Sequence, residues 1–545
     1  MRHKDLPARA RMEAGARIVA AVAALAMLAA CATTPPGAGF PRSESVALAH
    51  PEETRLGSRF AAMAAAHGGA SGFRIITVGV DGFLARAEMI DAAERTLDLQ
   101  YFIFRGDDTG KLLTDGLLRA ADRGVRVRVL VDDGDTVPGD EQILALAAHP
   151  LVEVRIFNPF AYRGHSTFRR ALEFMFNAGR LDYRMHNKLL VVDNALALVG
   201  GRNIGNQYFQ VDPGSQFADD DVFAAGPVAP ALSATFDEYW NSPLAVPAQA
   251  LAERGAKIPA LSEQRARARW HPTELVEPSA TGGDYVTRIA TGEPFSGLMS
   301  GKLPLVWASA RVVCDSPDKK EVVDGSTPGR LMLRGVKRMI AATDSELLMV
   351  TPYFVPAADE LDVLRDLRLR NVAVGVVTNS LESTPDIVAH AGYIGYRKPL
   401  LAQGVRLYEV RAQPGSARGS GQTTRLSRYG HYGLHGKLIV SDRQRLFIGS
   451  MNFDKRSKGL NTEIGLLIDS PELATQTALR FEAMAQPANS YVLSLQADAA
   501  GGAAHIVWST LEKGQAVDYT TEPAQSSARR LLMRLLSLLP VSREL

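Results

Sequence analysis

The chain has 545 residues, 46% of them hydrophobic and 22% charged, too many for one ordinary core, so two domains of similar size are expected. That composition excludes a disordered or fibrous chain and fits a globular protein. A net charge of +2 lacks the basic excess of a general nucleic-acid binder, so no nucleic-acid partner is expected.

At the N-terminus, Arg9, Arg11 and Arg17 precede an apolar run from Ile18 to Ala30. The run is shorter than the roughly 20 residues that span a bilayer, but it has the length of a signal-peptide core. It closes on Leu28-Ala29-Ala30-Cys31, which resembles the lipobox of bacterial lipoproteins, where the cysteine is lipidated and becomes the mature N-terminus. Residues 1–31 are therefore read as a lipoprotein signal peptide; an ordinary signal peptide with an incidental cysteine is the alternative. Ala32 stands where an aspartate often retains such proteins at the inner membrane, which favours the outer membrane over the inner. Residues 32–72 read as a tether and lead-in, flexible where Pro35, Pro36 and Pro41 punctuate it. With Cys31 acylated, Cys314 has no partner in the chain and reads as a buried or inert thiol, so no disulfide scaffold is implied.

Beyond the tether the chain repeats itself. His186, Lys188, Asp193 and Asn203 recur as His435, Lys437, Asp442 and Asn452, each at an offset of 249 residues. Upstream, Glu94 to Phe104 parallels Ser345 to Val355, with Tyr101 and Tyr353 aligned at an offset of 252. Each copy continues with a helical stretch and an apolar strand, Val125–Asp132 in the first half and Val372–Thr378 in the second. Helical patterns alternating with short β-branched strands predict an α/β fold. Two pseudo-twofold-related lobes are expected, residues 73–241 and 331–500, each a mixed sheet flanked by helices, sharing one active site.

Residues 242–330 lie between the lobes and read as a connecting segment with some helix. Gly415 to Arg428 is polar and glycine-rich, hence a loop placed to cover the second motif. The extension 501–545 ends in a helical pattern from Ala528 to Leu539, with leucines 531, 532, 535, 536, 538 and 539 on one arc and Arg529, Arg530, Arg534 and Ser537 on the other. Such a helix suits a membrane interface; docking on the protein's own core is the alternative.

The repeated motif carries chemistry. In His186 to Asp193 the apolar residues predict a strand, and side chains two apart on a strand share a face, so His186 and Lys188 enter one pocket. A turn at Asp193 and Asn194 leads to a returning strand, after which Gly200-Gly201-Arg202-Asn203 brings an amide back toward the histidine. The second copy closes with Gly449-Ser450-Met451-Asn452. A pocket holding both copies contains two imidazoles, two ammonium groups and two amides. Two cations and several donors hold phosphoryl oxygens and stabilise transition-state charge. One histidine can attack phosphorus, and the other, with an ordinary pKa near 6.5, can protonate the departing alcohol. The lysines do the electrostatic work that metals do elsewhere, so neither a metal nor another cofactor is expected.

The full pattern, His-x-Lys-x4-Asp-x6-Gly-Gly/Ser-x-Asn, resembles the phospholipase D superfamily over nearly all of the mature chain. The segment from Gly449 to Ser457 with Asn461-Thr462-Glu463 resembles the cardiolipin synthase branch. The leader, the Thr378–Leu381 segment and the Phe217–Val222 segment are most similar to its C-type bacterial members. The resemblance implies a phosphatidyl-histidine intermediate and a downstream acid orienting each histidine. Glu463 fits that role in the second half. In the first, aligning Asp221-Val222 with Glu463-Ile464 favours Asp221, with Asp219 as fallback. By the same resemblance Asp193 and Asp442 anchor turns, Ser450, Arg456 and Ser457 bind a headgroup or phosphate, and His390 is structural. Gly201 departs from the usual serine and removes one phosphate donor. By analogy with bilobal relatives, His186 is the expected nucleophile and His435 the acid.

The expected substrates are phosphatidylglycerol and a second phospholipid such as phosphatidylethanolamine, and the expected product is cardiolipin. The expected setting is a bacterial envelope membrane, held by the lipid anchor on the periplasmic side. Hydrolysis to phosphatidic acid is the nearest rival, and a non-catalytic lipid-binding lipoprotein the rival from another class. Whether a protein partner is needed is not written in the sequence.

Overall fold

A computed structural model of the chain describes residues 34–134, 140–164, 166–211, 215–252, 258–268, 302–413, 431–497 and 504–537. The leader with Cys31, the Gly415–Arg428 loop and Leu538 and Leu539 lie outside the described residues.

The first half contributes strands β1 (Ser71–Ile76), β2 (Thr96–Tyr101), β3 (Arg126–Asp132), β4 (Val152–Phe157), β5 (Leu189–Val192), β6 (Leu196–Gly200), β7 (Ser215–Ala218), β8 (Asp221–Ala225) and β9 (Ala245–Pro247). The remainder contributes β10 (Val306–Cys314), β11 (Glu346–Val350), β12 (Ala373–Asn379), β13 (Arg406–Val410), β14 (His431–Leu434), β15 (Leu438–Ser441), β16 (Arg445–Gly449), β17 (Ile464–Asp469), β18 (Ser490–Gln496), β19 (His505–Glu512) and β20 (Gln515–Tyr519). In the first half β2, β3 and β4 are parallel, and β5, β6, β8 and β1 follow antiparallel from β2. The second half repeats this with β11, β12 and β13 parallel and β15, β16, β17 and β10 antiparallel from β11. The two sheets meet where β1 pairs with β10, forming one sheet of 18 strands.

Burial explains why the strands read as they do. Val127, Val129, Leu130 and Val131 have no exposed surface, as expected of parallel strands covered on both faces, whose apolar runs are nearly continuous. The one cation in that run is neutralised inside the sheet: Arg128 donates to both carboxylate oxygens of Asp98, at 2.6 and 2.9 Å. Between the halves, the Val228–Asn241 helix buries Phe236, Tyr239 and Trp240, and the Pro471–Ala485 helix buries Leu473, Ala478 and Phe481 in the same apolar cluster. That shared cluster makes the two lobes one body.

Three expectations change here. The stretch 242–330 is more than a connector, because β9 pairs with β4 of the first sheet and β10 is the edge strand through which the sheets join. The chain beyond residue 500 adds β19 and β20 to the second sheet through β18. Finally, Gln100 pairs with Leu189 while Val350 pairs with Leu438, which makes Thr351 the counterpart of Tyr101. The aligned tyrosines are not equivalent: Tyr101 is a core residue bonded to Arg86, whereas Tyr353 lies two residues past that register position, within electrostatic range of Asp386, Tyr208 and Asp454.

Candidate active site

Each His-x-Lys segment leads directly into a short hairpin, β5–β6 or β15–β16. Both turns need left-handed backbone, with φ of 49° at Asp193 and 52° at Asn194, and 54° at Asp442 and 52° at Arg443. The motif aspartates stabilise the neighbouring entry to the sheet. Asp193 accepts the backbone N–H groups of Glu94, Arg95 and Thr96 at 2.8–2.9 Å. Asp442 accepts those of Asp344, Ser345 and Glu346 at 2.7–3.2 Å.

The opposite ends of the hairpins meet across the lobes. The His186 N–H donates to Thr462 O at 2.9 Å, and the His435 N–H donates to Ala218 O at 2.7 Å. These contacts carry the acids across the pseudo-twofold. His186 Nδ1 lies 2.9 Å from Glu463 Oε2, and His435 Nδ1 lies 2.5 Å from Asp219 Oδ2. Each histidine is thus held by a carboxylate of the other half, leaving Nε2 for chemistry.

The expectation for Asp221 is overturned. Its carboxylate accepts from Arg86 at 2.9 Å and Arg202 at 3.2 Å, all three buried, and does not reach a histidine. The register shows why: Gly200 pairs with Asp221 and Gly449 with Gly465, so Asp221 corresponds to Gly465 and Asp219 to Glu463. The alignment from sequence is two residues out. Gly201 also has a different role from the one expected. A Cβ there would lie 2.0 Å from Asp219 Oδ1, so the missing side chain is what lets the shorter acid approach.

Ser450, Arg456 and Ser457, expected on substrate, are engaged with the protein. Ser450 Oγ donates to Glu463 Oε2 at 2.5 Å, and Ser457 Oγ donates to Glu463 Oε1 at 2.7 Å. Arg456 ties the lobes by donating to the Asp182 carboxylate at 2.7 Å and its carbonyl at 3.1 Å. Asn203 Oδ1 accepts from Ile103 N–H at 3.1 Å, while the buried Oδ1 of its counterpart Asn452 has no protein partner. His390 is buried with Glu522 at 2.7 Å, in a cluster with Arg397 rather than in the site.

Sequence reasoning missed a second pair of positioning residues. Asp132 Oδ2 accepts the Met185 N–H at 2.8 Å, and Asn379 Oδ1 accepts the Leu434 N–H at 2.8 Å. Each therefore fixes the residue before a histidine. The available signal was a polar side chain ending each buried parallel strand, since sites in α/β sheets form at the carboxyl ends of strands. Aromatic rings complete the walls: Phe102 meets His186 edge-on at 5.0 Å, Phe217 stacks on His435 at 5.2 Å, and Tyr208 meets His435 edge-on.

The electrostatics are set by burial and by two amines placed beside two imidazoles. Lys188 Nζ donates to its own motif's His186 O at 2.7 Å, and Lys437 Nζ sits 3.0 Å from His435 Nδ1. Burial, with Lys188 and Lys437 nearby, pushes His186 well below its ordinary pKa. Burial and Lys437 push His435 down to about 3. Burial also lowers Lys188 strongly and brings Lys437 to about 8. The acids differ. Burial raises Glu463 to about 7, whereas for Asp219 the burial effect is outweighed by His435 and Lys437, leaving it below the usual carboxylate range. Among the described residues no three His, Cys, Asp or Glu side chains converge on a metal-sized space.

Two imidazoles, two amines and two crossed carboxylates on a duplicated hairpin define a phospholipase D-type site. A family model described as "Cardiolipin synthase, PLD-like domain" matches residues 87–240 and again 336–485. The chain is 36% identical over 502 residues to cardiolipin synthase C of Escherichia coli K12, across 89% of this chain and 99% of that protein. It is 25% identical over 410 residues to the major cardiolipin synthase of Bacillus subtilis 168, across 75% and 67% of the two chains. Among solved structures, phosphatidylserine synthase of Haemophilus influenzae shares the fold with a TM-score of 0.50 at 13% identity, covering 80% of this chain and 92% of that one. The chain belongs to the phospholipase D-type cardiolipin synthase family and is an enzyme of that type.

Proposed function

We propose that the protein transfers a phosphatidyl group from one phospholipid to phosphatidylglycerol, making cardiolipin. The crossed His–carboxylate pairs carry this reading, because they hold two imidazoles in one pocket with Nδ1 occupied and Nε2 free. The lysines and Asn203 bind the phosphoryl oxygens, where fixed donors act most strongly in a water-poor site. His186 Nε2 forms a bond to phosphorus as the bond from phosphorus to the leaving alkoxide breaks. His435 gives its Nε2 proton to that alkoxide. In the second half-reaction the acceptor hydroxyl returns a proton to His435 and its oxygen bonds to phosphorus, expelling His186. The substrate anion between Lys188 and Lys437 counters the cations that depress both histidines, so binding favours the protonated acid. Asp219 and Glu463 hold the rings, and Asp193 and Asp442 hold the hairpins. Cys31 anchors the chain in an envelope membrane, which places the pocket beside its lipids.

The test is lipid product analysis by mass spectrometry, using phosphatidylglycerol vesicles with and without phosphatidylethanolamine. Cardiolipin that disappears in His186→Ala and His435→Ala supports the reading, and the required mixture identifies the donor. Phosphatidic acid without cardiolipin would make the enzyme a hydrolase. A phosphohistidine trapped on residue 435 alone would reverse the two roles.

A further inference from the structure

Two helices at the rim of the site are built inside out. The helix Thr167–Leu181 ends five residues before His186. Its polar side chains face the protein: Arg170 donates to Asp133 O at 2.8 Å, Glu173 accepts from the Ala161 and Tyr162 N–H groups, and Arg180 donates to Asn158 Oδ1 at 2.6 Å. Its large apolar side chains face outward, with Phe168, Phe174, Met175 and Phe176 between 40 and 72% exposed. The helix Ser527–Ser537 repeats this at the other lobe. Arg529 points inward, donating to Leu381 O at 2.9 Å and Thr384 O at 2.6 Å, and Met533 is buried. Leu531, Leu532 and Leu535 are 48–60% exposed.

The two attachments are pseudo-equivalent. Asp133 follows Asp132 at the end of β3, and Leu381 and Thr384 follow Asn379 at the end of β12. Asp132 and Asn379 are the residues that fix the chain just before His186 and His435. Both helices are therefore tied to the strand ends that carry the site, one on each lobe, with their apolar arcs turned outward. Exposed Arg169 and Arg534 border the two arcs, a pairing of apolar face and cation that suits an anionic interface. No described helix is long and apolar enough to cross a membrane.

We propose that these helices are the two feet on which the enzyme sits, their apolar arcs immersed in the interfacial layer of a phospholipid bilayer carrying anionic headgroups. The choice of a bilayer rests on the phosphatidyl-transfer reading, whose substrates have acyl chains that stay in the membrane while their phosphates enter the pocket. Lipid reaches the histidines without leaving the membrane.

The experiment attaches a polarity-sensitive fluorophore to the full chain at Met175→Cys, at Leu535→Cys, or at Leu369→Cys, with unsubstituted protein as the labelling blank. Leu369 is 76% exposed but lies before the start of β12, at the far end from the site. Native Cys314 is buried, and any label taken up at Cys31 is subtracted with the unsubstituted blank. The proteins are mixed with vesicles of phosphatidylglycerol and phosphatidylethanolamine containing acyl-chain quenchers, and cardiolipin is measured in the same samples. Quenching of at least threefold at 175 and 535, and none at 369, is expected. Vesicle-bound protein without quenching at 175 and 535 overturns the proposal. A spectral shift without vesicles that grows with protein concentration also overturns it, assigning the surface to a second copy. Quenching without cardiolipin leaves the feet standing and removes the transferase reading instead.

Discussion

The two halves hold their histidines at matching places with different chemistry. In one pair Asp219, a short acid kept ionised by His435 and Lys437, reaches across to His435 through the space that Gly201 leaves open. In the other, Glu463 is longer, is steadied by the hydroxyls of Ser450 and Ser457, and is raised by burial to about 7. One side substitutes backbone closeness for the hydroxyl donors of the other. The difference teaches that the repeated unit is the distance from carboxylate to imidazole, while the residues achieving it are free to vary.

The sharpest way to break that comparison is to separate two neighbouring aspartates. Asp219→Asn removes the negative partner of His435 and should lower kcat by about ten-thousandfold, as for another imidazole deprived of its orienting acid. Its melting temperature should change little. Asp221→Asn should do the reverse at first hand, leaving the buried Arg86 and Arg202 unpaired at a cost of about 3–5 kcal/mol. Thermal melting with single-turnover rates on the folded fraction distinguishes the two. Equal catalytic loss in Asp221→Asn with an unchanged melting point would restore the original alignment.

The next test addresses the glycine. Gly201→Ala forces a Cβ into the position of Asp219 Oδ1 and should cost about a hundredfold, the size of effect expected from a misplacement near 1 Å. Ser450→Ala removes one of two hydroxyl donors to Glu463 and should cost only about tenfold, because Ser457 remains. Steady-state rates of the pair measure how far the halves rely on closeness or on donors.

These contrasts also mark what the sequence made legible. The histidines, lysines, motif aspartates and asparagines stood out because a short hairpin fixes their spacing, and an invariant spacing survives in both copies. The carboxylates did not, because five more residues separate Asn203 from Asp219 than separate Asn452 from Glu463, and only the register of β6 with β8 shows which aspartate aligns. The exchange of acids between lobes has no trace in linear order. The bilobal α/β architecture followed from periodicity. The joining strand Val306–Cys314 was missed because it is an edge strand with alternating exposed residues inside an irregular stretch.

The pH dependence sharpens the comparison of the lysines. Lys437 is brought down by burial to about 8, and the form that binds phosphate is the ammonium. The Lys437 contribution to anion binding is therefore full only well below pH 8, half lost at about 8 and gone above it, so kcat/KM, which reports free-enzyme ionisations, should fall as pH rises through about 8. Lys437→Arg keeps its charge throughout that range and should remove this alkaline limb while lowering the plateau about tenfold through altered geometry. A limb that persists unchanged in Lys437→Arg would assign it to another group.

The smallest expected effect comes from Asp132, which does the same positioning job as Asn379 with different atoms. Asp132 accepts from Met185, Gly134 and Arg184, so all its partners are donors. Asn379 accepts from Leu434 N–H but also donates, through Nδ2, to Leu434 O at 2.9 Å and Pro352 O at 3.2 Å. Asp132→Asn keeps an acceptor for Met185 and gives up charge toward Arg184, for an expected loss of threefold to tenfold, or about 1 kcal/mol. Asn379→Asp instead turns a carboxylate toward two carbonyl oxygens in a buried place and should cost more, in rate and in melting temperature. If both act only to hold the chain before each histidine, the substitutions lower kcat and leave KM for the lipid unchanged. A rise in KM alone for Asp132→Asn would mean that this carboxylate, which burial raises to about 6, meets the substrate itself.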